Sequence, residues 1–268
     1  MGPSVQDPRE PADPWHGKDV VALAAVRRAA RAVLPSDTRF KLYFGLLGTP
    51  VLSELYVASR GRLRHRRIQT GTRLVIEAFP SSGNTFCRQA FLLANPDIAP
   101  NDLCTHTHSP RVVERAVHAG VPCIVVARDP RDAVSSMVQR FSRPRLETAF
   151  GYYDRYYRRL LPIRDRFVVA PFSRVISDFS QFIVACNEKY GVNFTSNAEA
   201  GLTNEMVFAD IDSRAKRRHG GRLYEARISR PSAARRPAAE FLSDITETER
   251  RAMSRALDAY RRFVAEPS

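Results

Sequence analysis

Three short runs in this 268-residue chain carry residue types suited to handling a phosphate-like anion. The first, Pro80-Ser81-Ser82-Gly83-Asn84-Thr85-Phe86, follows an apolar run and precedes a helix-like segment, Cys87 to Asn95. Gly83 permits close backbone approach, and Ser82, Asn84 and Thr85 offer hydroxyl and amide donors. A helix opening there aims its N-terminal N–H groups at the same point. The second run, Thr105-His106-Thr107-His108-Ser109-Pro110, spaces two histidines two residues apart. On a strand, alternate side chains share a face, so both are expected on one side of a short strand where it meets its loop. The third, Arg128-Asp129-Pro130-Arg131-Asp132 through Ser136, puts a cation at a strand end and hydroxyls on the first turns of a helix. No lysine follows the glycine of the first loop. The nucleotide-hydrolase pattern G-x-x-x-x-G-K-[ST] is therefore missing there, and a nucleotide kinase is disfavoured.

The elements that must position these runs follow from hydropathy patterning. Strands are expected at 73–79, 102–108, 122–128 and 165–172. They alternate with helices after Thr85 and at 109–120, 129–141, 151–165 and 175–191. Alternation of this kind implies an α/β fold, a parallel sheet flanked by helices. In such sheets ligands bind at the carboxyl ends of the strands, where all three runs fall. The Tyr152, Tyr153, Tyr156, Tyr157 spacing predicts the core face of a helix. Residues 212–240 read as an Arg-rich loop, and a final helix over 245–263 opens with a capping box from Thr246 and Glu249.

Residues 1–17 are Pro-rich and expected to be disordered. Residues 18–71 read as a helical, basic segment, and 72–268 as the single catalytic-sized domain. Within 18–71, the apolar stretch 40–57 beside the basic run 60–67 suggests docking on an anionic membrane surface.

The chain has 42 Lys+Arg against 28 Asp+Glu, a net charge of +14 and a pI near 10.3. Such an excess suits phosphorylated or sulfated small molecules, acidic glycans, anionic lipid or nucleic acid. No nucleic-acid recognition module is visible in the sequence, so nucleic acid is not the expected partner. The start lacks the basic-then-apolar pattern of a secretion signal, and no apolar run reaches the ~18 residues that span a bilayer. Cys87, Cys104, Cys123 and Cys186 show no metal-binding spacing. The expectation is a metal-free protein with reduced thiols, cytoplasmic, with the inner face of the membrane as its peripheral contact. Nothing in the sequence speaks to oligomeric state.

Taken together, the three runs resemble the PAPS-dependent sulfotransferases, whose donor is 3′-phosphoadenosine 5′-phosphosulfate. Their loop reads roughly P-K-S-G-T-T-W, their second strand ends K-T-H-x-P, and their third element reads R-N/D-P-x-D-x-x-x-S. Order and approximate separation agree, and the resemblance covers about residues 72–263. It implies a P-loop NTPase-like sulfotransferase architecture and roles for individual residues. Ser81, Ser82, Gly83, Asn84 and Thr85 would cradle the 5′-phosphosulfate, with Phe86 beside the adenine. Arg128 and Ser136 would grip the 3′-phosphate, and counting back from Phe241 makes Arg230, with Arg227 as substitute, a further ligand of that phosphate. His108 would be the general base that takes the proton of an acceptor hydroxyl on a sugar, phenol or lipid alcohol. A histidine suits that task because its ordinary pKa lies near working pH.

Sulfuryl transfer is an in-line displacement at sulfur that builds charge on the bridging oxygen, which fixed donors and cations stabilise without a metal. Two positions depart from the family pattern. Ser81 stands where the family has a lysine that contacts the transferring group, and His106 stands where it has another. His106 is therefore expected to join His108 in catalysis, with Arg88 or the 212–240 stretch as other sources of charge. The alternative is a sulfotransferase-like binding protein that lost turnover together with the loop lysine.

Overall fold

The computed structural model describes residues 34–35, 37–38, 40–42, 68–141, 144–225 and 228–265. The expectations for 1–17, for the greater part of 18–71 including the basic run 60–67, and for Arg227 lie outside the described residues.

Four parallel strands form one sheet in the order β2-β1-β3-β4, with β1 Leu74–Ala78, β2 Leu103–Thr105, β3 Cys123–Ala127 and β4 Val168–Pro171. The registers pair Val75 with Cys104, Ile76 with Ile124 and Val126 with Ala170. β1, β2 and β3 are buried throughout, as a sheet covered on both faces requires, while the edge strand β4 alternates buried and partly buried residues. Alternation sends Leu74 and Ile76 of β1, with Ile124 and Val126 of β3, into one core layer. Val75, Phe79, Cys123 and Val125 enter the opposite layer.

Helices α1 Asn84–Ala94, α2 Pro110–His118, α3 Pro130–Phe141 and α4 Leu146–Leu160 occupy the expected places. Tyr153, Tyr156 and Tyr157 of α4 are fully buried. Their hydroxyls work on strand ends: Tyr157 donates to the Val126 carbonyl at 2.8 Å and Tyr153 to that of Arg128 at 2.5 Å. The tyrosines are thus a core face that also fixes the rim of the sheet. Of the residues before 68, Phe40 packs edge-on against Tyr152, and Asp37 accepts the Arg145 N–H at 3.0 Å.

Three expectations are corrected. The single helix foreseen over 175–191 is two, α5 Phe172–Ser177 and α6 Ser180–Tyr190. The chain turns at Asp178, whose extended backbone and carboxylate, accepting the Ser180 N–H at 2.9 Å, end one helix and open the next. The stretch from 212 does not begin as a loop. It continues α7 Asn204–Arg218, capped by Thr203 and anchored by buried Val207 and Ile211. The second strand stops at Thr105, short of both histidines. After α7 come the short α8 Ala238–Phe241 and the closing α9 Glu247–Val264, whose Thr246/Glu249 capping box is present.

Candidate functional site

The strand order changes direction between β1 and β3: from β1 the chain moves out to β2, then crosses back to β3 on the other side. Loops leaving β1 and β3 therefore diverge and leave a crevice at their carboxyl ends. A cavity of about 1060 Å³ lies there, lined by Ser81, Gly83, Asn84, Thr85, His106, His108, Arg128, Ser136 and Arg140 among others. The three sequence runs thus meet in one place.

Gly83 is required twice over. Its φ is +105°, and a Cβ there would lie 2.8 Å from the Phe172 ring. Ser81 is also left-handed, with φ +63°, a conformation that an L-residue holds only when its surroundings enforce it. Arg128 helps to do so by donating from Nη1 to the Ser81 carbonyl at 2.9 Å, while its guanidinium lies over the Phe172 ring. Helix α1 then starts at Asn84 with no side-chain cap and no acidic residue in its first turn, among the described residues. Its first N–H groups and positive dipole end are available to an anion. Both polar atoms of the Asn84 amide are buried without a hydrogen-bond partner among the described residues, on a side chain that borders the cavity. A buried amide of this kind calls for a polar ligand.

One expected residue sits differently. Ser82 is 1% exposed and lies beneath the loop rather than on the cavity wall. Phe86 is 2% exposed, borders the cavity together with Phe172 and Phe208, and packs on Phe208 and Phe179.

The histidines converge by a route other than strand alternation. His106 and His108 both adopt left-handed backbone, φ +61° and +54°, and their rings stand 6.0 Å apart, nearly perpendicular. The cause is Glu77, a fully buried carboxyl in β1. Its Oε1 accepts the Thr107 N–H at 2.8 Å and its Oε2 the His108 N–H at 3.0 Å. These bonds pull the chain inward after Thr105 and present the flanking histidines to the cavity. Burial pushes the Glu77 carboxyl up to about 7, against the lowering effect of the N–H donors.

His108 Nδ1 lies 2.9 Å from the Ala78 carbonyl oxygen. That oxygen has no proton to give, so Nδ1 carries the hydrogen and Nε2 of the neutral ring is an acceptor. Tyr152 donates its hydroxyl to the His108 carbonyl and holds the residue from behind. His106 spans two hydroxyls, Thr105 Oγ1 at Nδ1 and Thr85 Oγ1 at Nε2, each 3.1 Å away. It ties the first loop to the second.

Sequence reasoning missed Glu77 and Arg140, and reached Arg235 only as part of the 212–240 stretch. Arg140 of α3 donates to Ser229 Oγ at 3.0 Å and to Ser81 Oγ at 3.4 Å. Burial, then the neighbouring Arg235 and Arg128 charges, lower its pKa to about 10. Burial likewise lowers that of Arg128, with Asp132 and Asp129 opposing and Arg235 adding to the shift. Three guanidiniums thus share one wall beside the open end of α1. Arg230 borders the same cavity, but its charge is met by Asp212 at 2.8 Å and Glu225 at 2.9 Å. Ser136 lies on the cavity wall, nearly two turns into α3.

Among the described residues, no group of three or more His, Cys, Asp or Glu is arranged to hold a metal, and no helix is long and apolar enough to cross a membrane. The four cysteines are buried and free. No family model matches the chain, and a search of curated proteins finds no match.

Proposed function

We propose that the chain is a PAPS-dependent sulfotransferase of P-loop-like architecture, transferring a sulfuryl group to an acceptor hydroxyl. The observation that carries this reading is the convergence of a base with an anion-binding wall. His108, with Nδ1 committed to Ala78, shares a cavity with the open N-terminus of α1 and with Arg128 and Arg140. An anion site alone would suit any phosphorylated ligand. An acceptor imidazole nitrogen beside it suits a reaction that removes a proton.

In the proposed reaction the acceptor oxygen attacks sulfur as its proton passes to His108 Nε2. The bond from sulfur to the bridging phosphate oxygen breaks, leaving a sulfate ester and 3′-phosphoadenosine 5′-phosphate (PAP). Charge that develops on the bridging oxygen is stabilised by the α1 N–H groups, Thr85 and Arg140, fixed donors in a partly desolvated site. Arg128, with Arg235 and Ser136 near it, serves the 3′-phosphate. Arg140 takes the part of the lysine that Ser81 replaces. The experiment is incubation with PAPS and a panel of hydroxyl acceptors, measuring PAP release by wild type and His108→Ala. Release by wild type that the variant loses supports the reading, and no release with any acceptor class counts against it.

A further inference from the structure

The cavity holds more positive charge than the donor accounts for. Arg88, Arg128, Arg140, Arg214, Arg218 and Arg235 are among the arginines that border it, and Asp132 is the sole carboxylate among the described residues that do. Arg214, Arg230 and Arg236 are met by carboxylates outside the lining, Asp210, Asp212 with Glu225, and Glu240. Six of the arginines form two groups. Arg128, Arg140 and Arg235 stand at the first loop, as above. Arg88, one turn into α1, faces Arg214 and Arg218 of α7. Asp210 lies near Arg88, and it already accepts from Arg214 at 2.6 Å and Gln89 at 3.1 Å.

The bland explanation of the second group is a solvated helix face. Arg217 and Arg218 do sit in the last turn of α7, where cations complement the helix dipole. Arg88 does not fit that explanation. It is half-buried on the cavity wall, donates to Gln89 Oε1 at 2.8 Å, and makes no ion pair among the described residues. Burial first, then the Arg214 and Arg218 charges, hold it below the usual arginine range. Guanidiniums withdrawn from water are ordinarily paired. The cavity, about 1060 Å³, lies at the upper end of the ~300–1,000 Å³ typical of small-molecule sites.

From this excess we infer that Arg88, Arg214 and Arg218 form a second anion subsite, and that the acceptor is a hydroxyl compound carrying its own phosphate, sulfate or carboxylate group. The inference rests on the sulfotransferase reading for the word acceptor, but the subsite stands on the cavity itself.

Glucose 6-phosphate is a suitable probe, with glucose as the uncharged control, titrated calorimetrically into protein with and without saturating PAP. Glucose 6-phosphate should bind in the presence of PAP, glucose should not, and Arg88→Ala and Arg218→Ala should each weaken the sugar phosphate by about tenfold. PAP affinity should change by less than about twofold in both variants. Arg218 is exposed at the end of α7, so that variant reports even if Arg88→Ala folds poorly. If sugar phosphate and PAP displace one another, or the variants weaken PAP equally, the second group belongs to the donor site and the inference falls. It falls equally if no sugar phosphate binds. Failure of PAP to bind wild type overturns the donor reading alone, because the sugar-phosphate response of Arg88→Ala still decides the subsite.

Discussion

Arg140 Nη1 lies 3.4 Å from Ser81 Oγ, so a cation from α3 reaches the position in the first loop where the sequence lacks one. The two residues are complementary in size and charge. A lysine at 81 would crowd and repel a guanidinium already lowered to about 10 by burial and by Arg235 and Arg128. Arg140→Ala should weaken PAP binding by about 10–100-fold, the equivalent of roughly 1.5–3 kcal/mol for a charge-assisted hydrogen bond. Adding Ser81→Lys to Arg140→Ala should recover part of the loss, whereas Ser81→Lys alone should weaken binding. Wild-type affinity in Arg140→Ala would show that the arginine merely braces Ser229.

His108 should be separable from the anion wall. His108→Ala is expected to lose ~10²–10⁴-fold in turnover while retaining PAP affinity. His106 bridges Thr85 and Thr105, so His106→Ala should reduce both turnover and PAP affinity by loosening the first loop. A variant at 106 that turns over and binds like wild type would leave that bridge without a function.

Glu77 couples stability to pH. Its carboxyl titrates at about 7 when folded against 4.5 otherwise, with burial the main cause. The folded state therefore holds its proton more tightly than the unfolded chain. Its contribution is most favourable below pH 4.5, falls as pH rises through the 4.5–7 window, and levels off above it. The full change is about 3 kcal/mol. Glu77→Gln should remove this slope from denaturant-unfolding free energies measured between pH 4.5 and 8. It should also lower turnover, because an amide offers only one acceptor oxygen to the Thr107 and His108 N–H groups. An unchanged slope in the variant would contradict the assignment.

Gly83→Ala should destabilise the fold by roughly 1–3 kcal/mol, from left-handed backbone strain and from a Cβ placed 2.8 Å from Phe172. Phe172→Leu in the same chain should relieve the clash but not the strain, a partial rescue readable in thermal melts. Full rescue would mean that the backbone itself is relaxed.

The sheet was legible because its strands are short, apolar and punctuated: Val75 and Ile76, Ile124 and Val125, and Val168 and Val169 are β-branched pairs inside buried runs. The capping box at Thr246 and the loop around Gly83 were legible as local patterns. What escaped depended on contacts distant in sequence. Nothing near Glu77 in the chain announces that it bonds Thr107 and His108, about thirty residues away, so the sequence pattern alone extends the second strand through both histidines. Arg140 reads as a helix-end cation, and only the packing of α3 brings it to Ser81 and Ser229. In helix α7 the arginines of the last turns mask the continuation of a helix anchored by Val207 and Ile211. A single acidic residue in the otherwise apolar run Leu74–Ala78 was the one available clue to Glu77.

The central claim, that this cavity receives the adenosine 3′-phosphate 5′-phosphosulfate unit, is tested most directly by calorimetric titration of PAP into wild type and Arg128→Ala, with adenosine 5′-monophosphate as the control lacking the 3′-phosphate. The account predicts that PAP binds wild type at least about tenfold more tightly than the monophosphate, and that Arg128→Ala erases most of that difference. Equal affinity for the two nucleotides, an unchanged preference in Arg128→Ala, or no binding of PAP would contradict it.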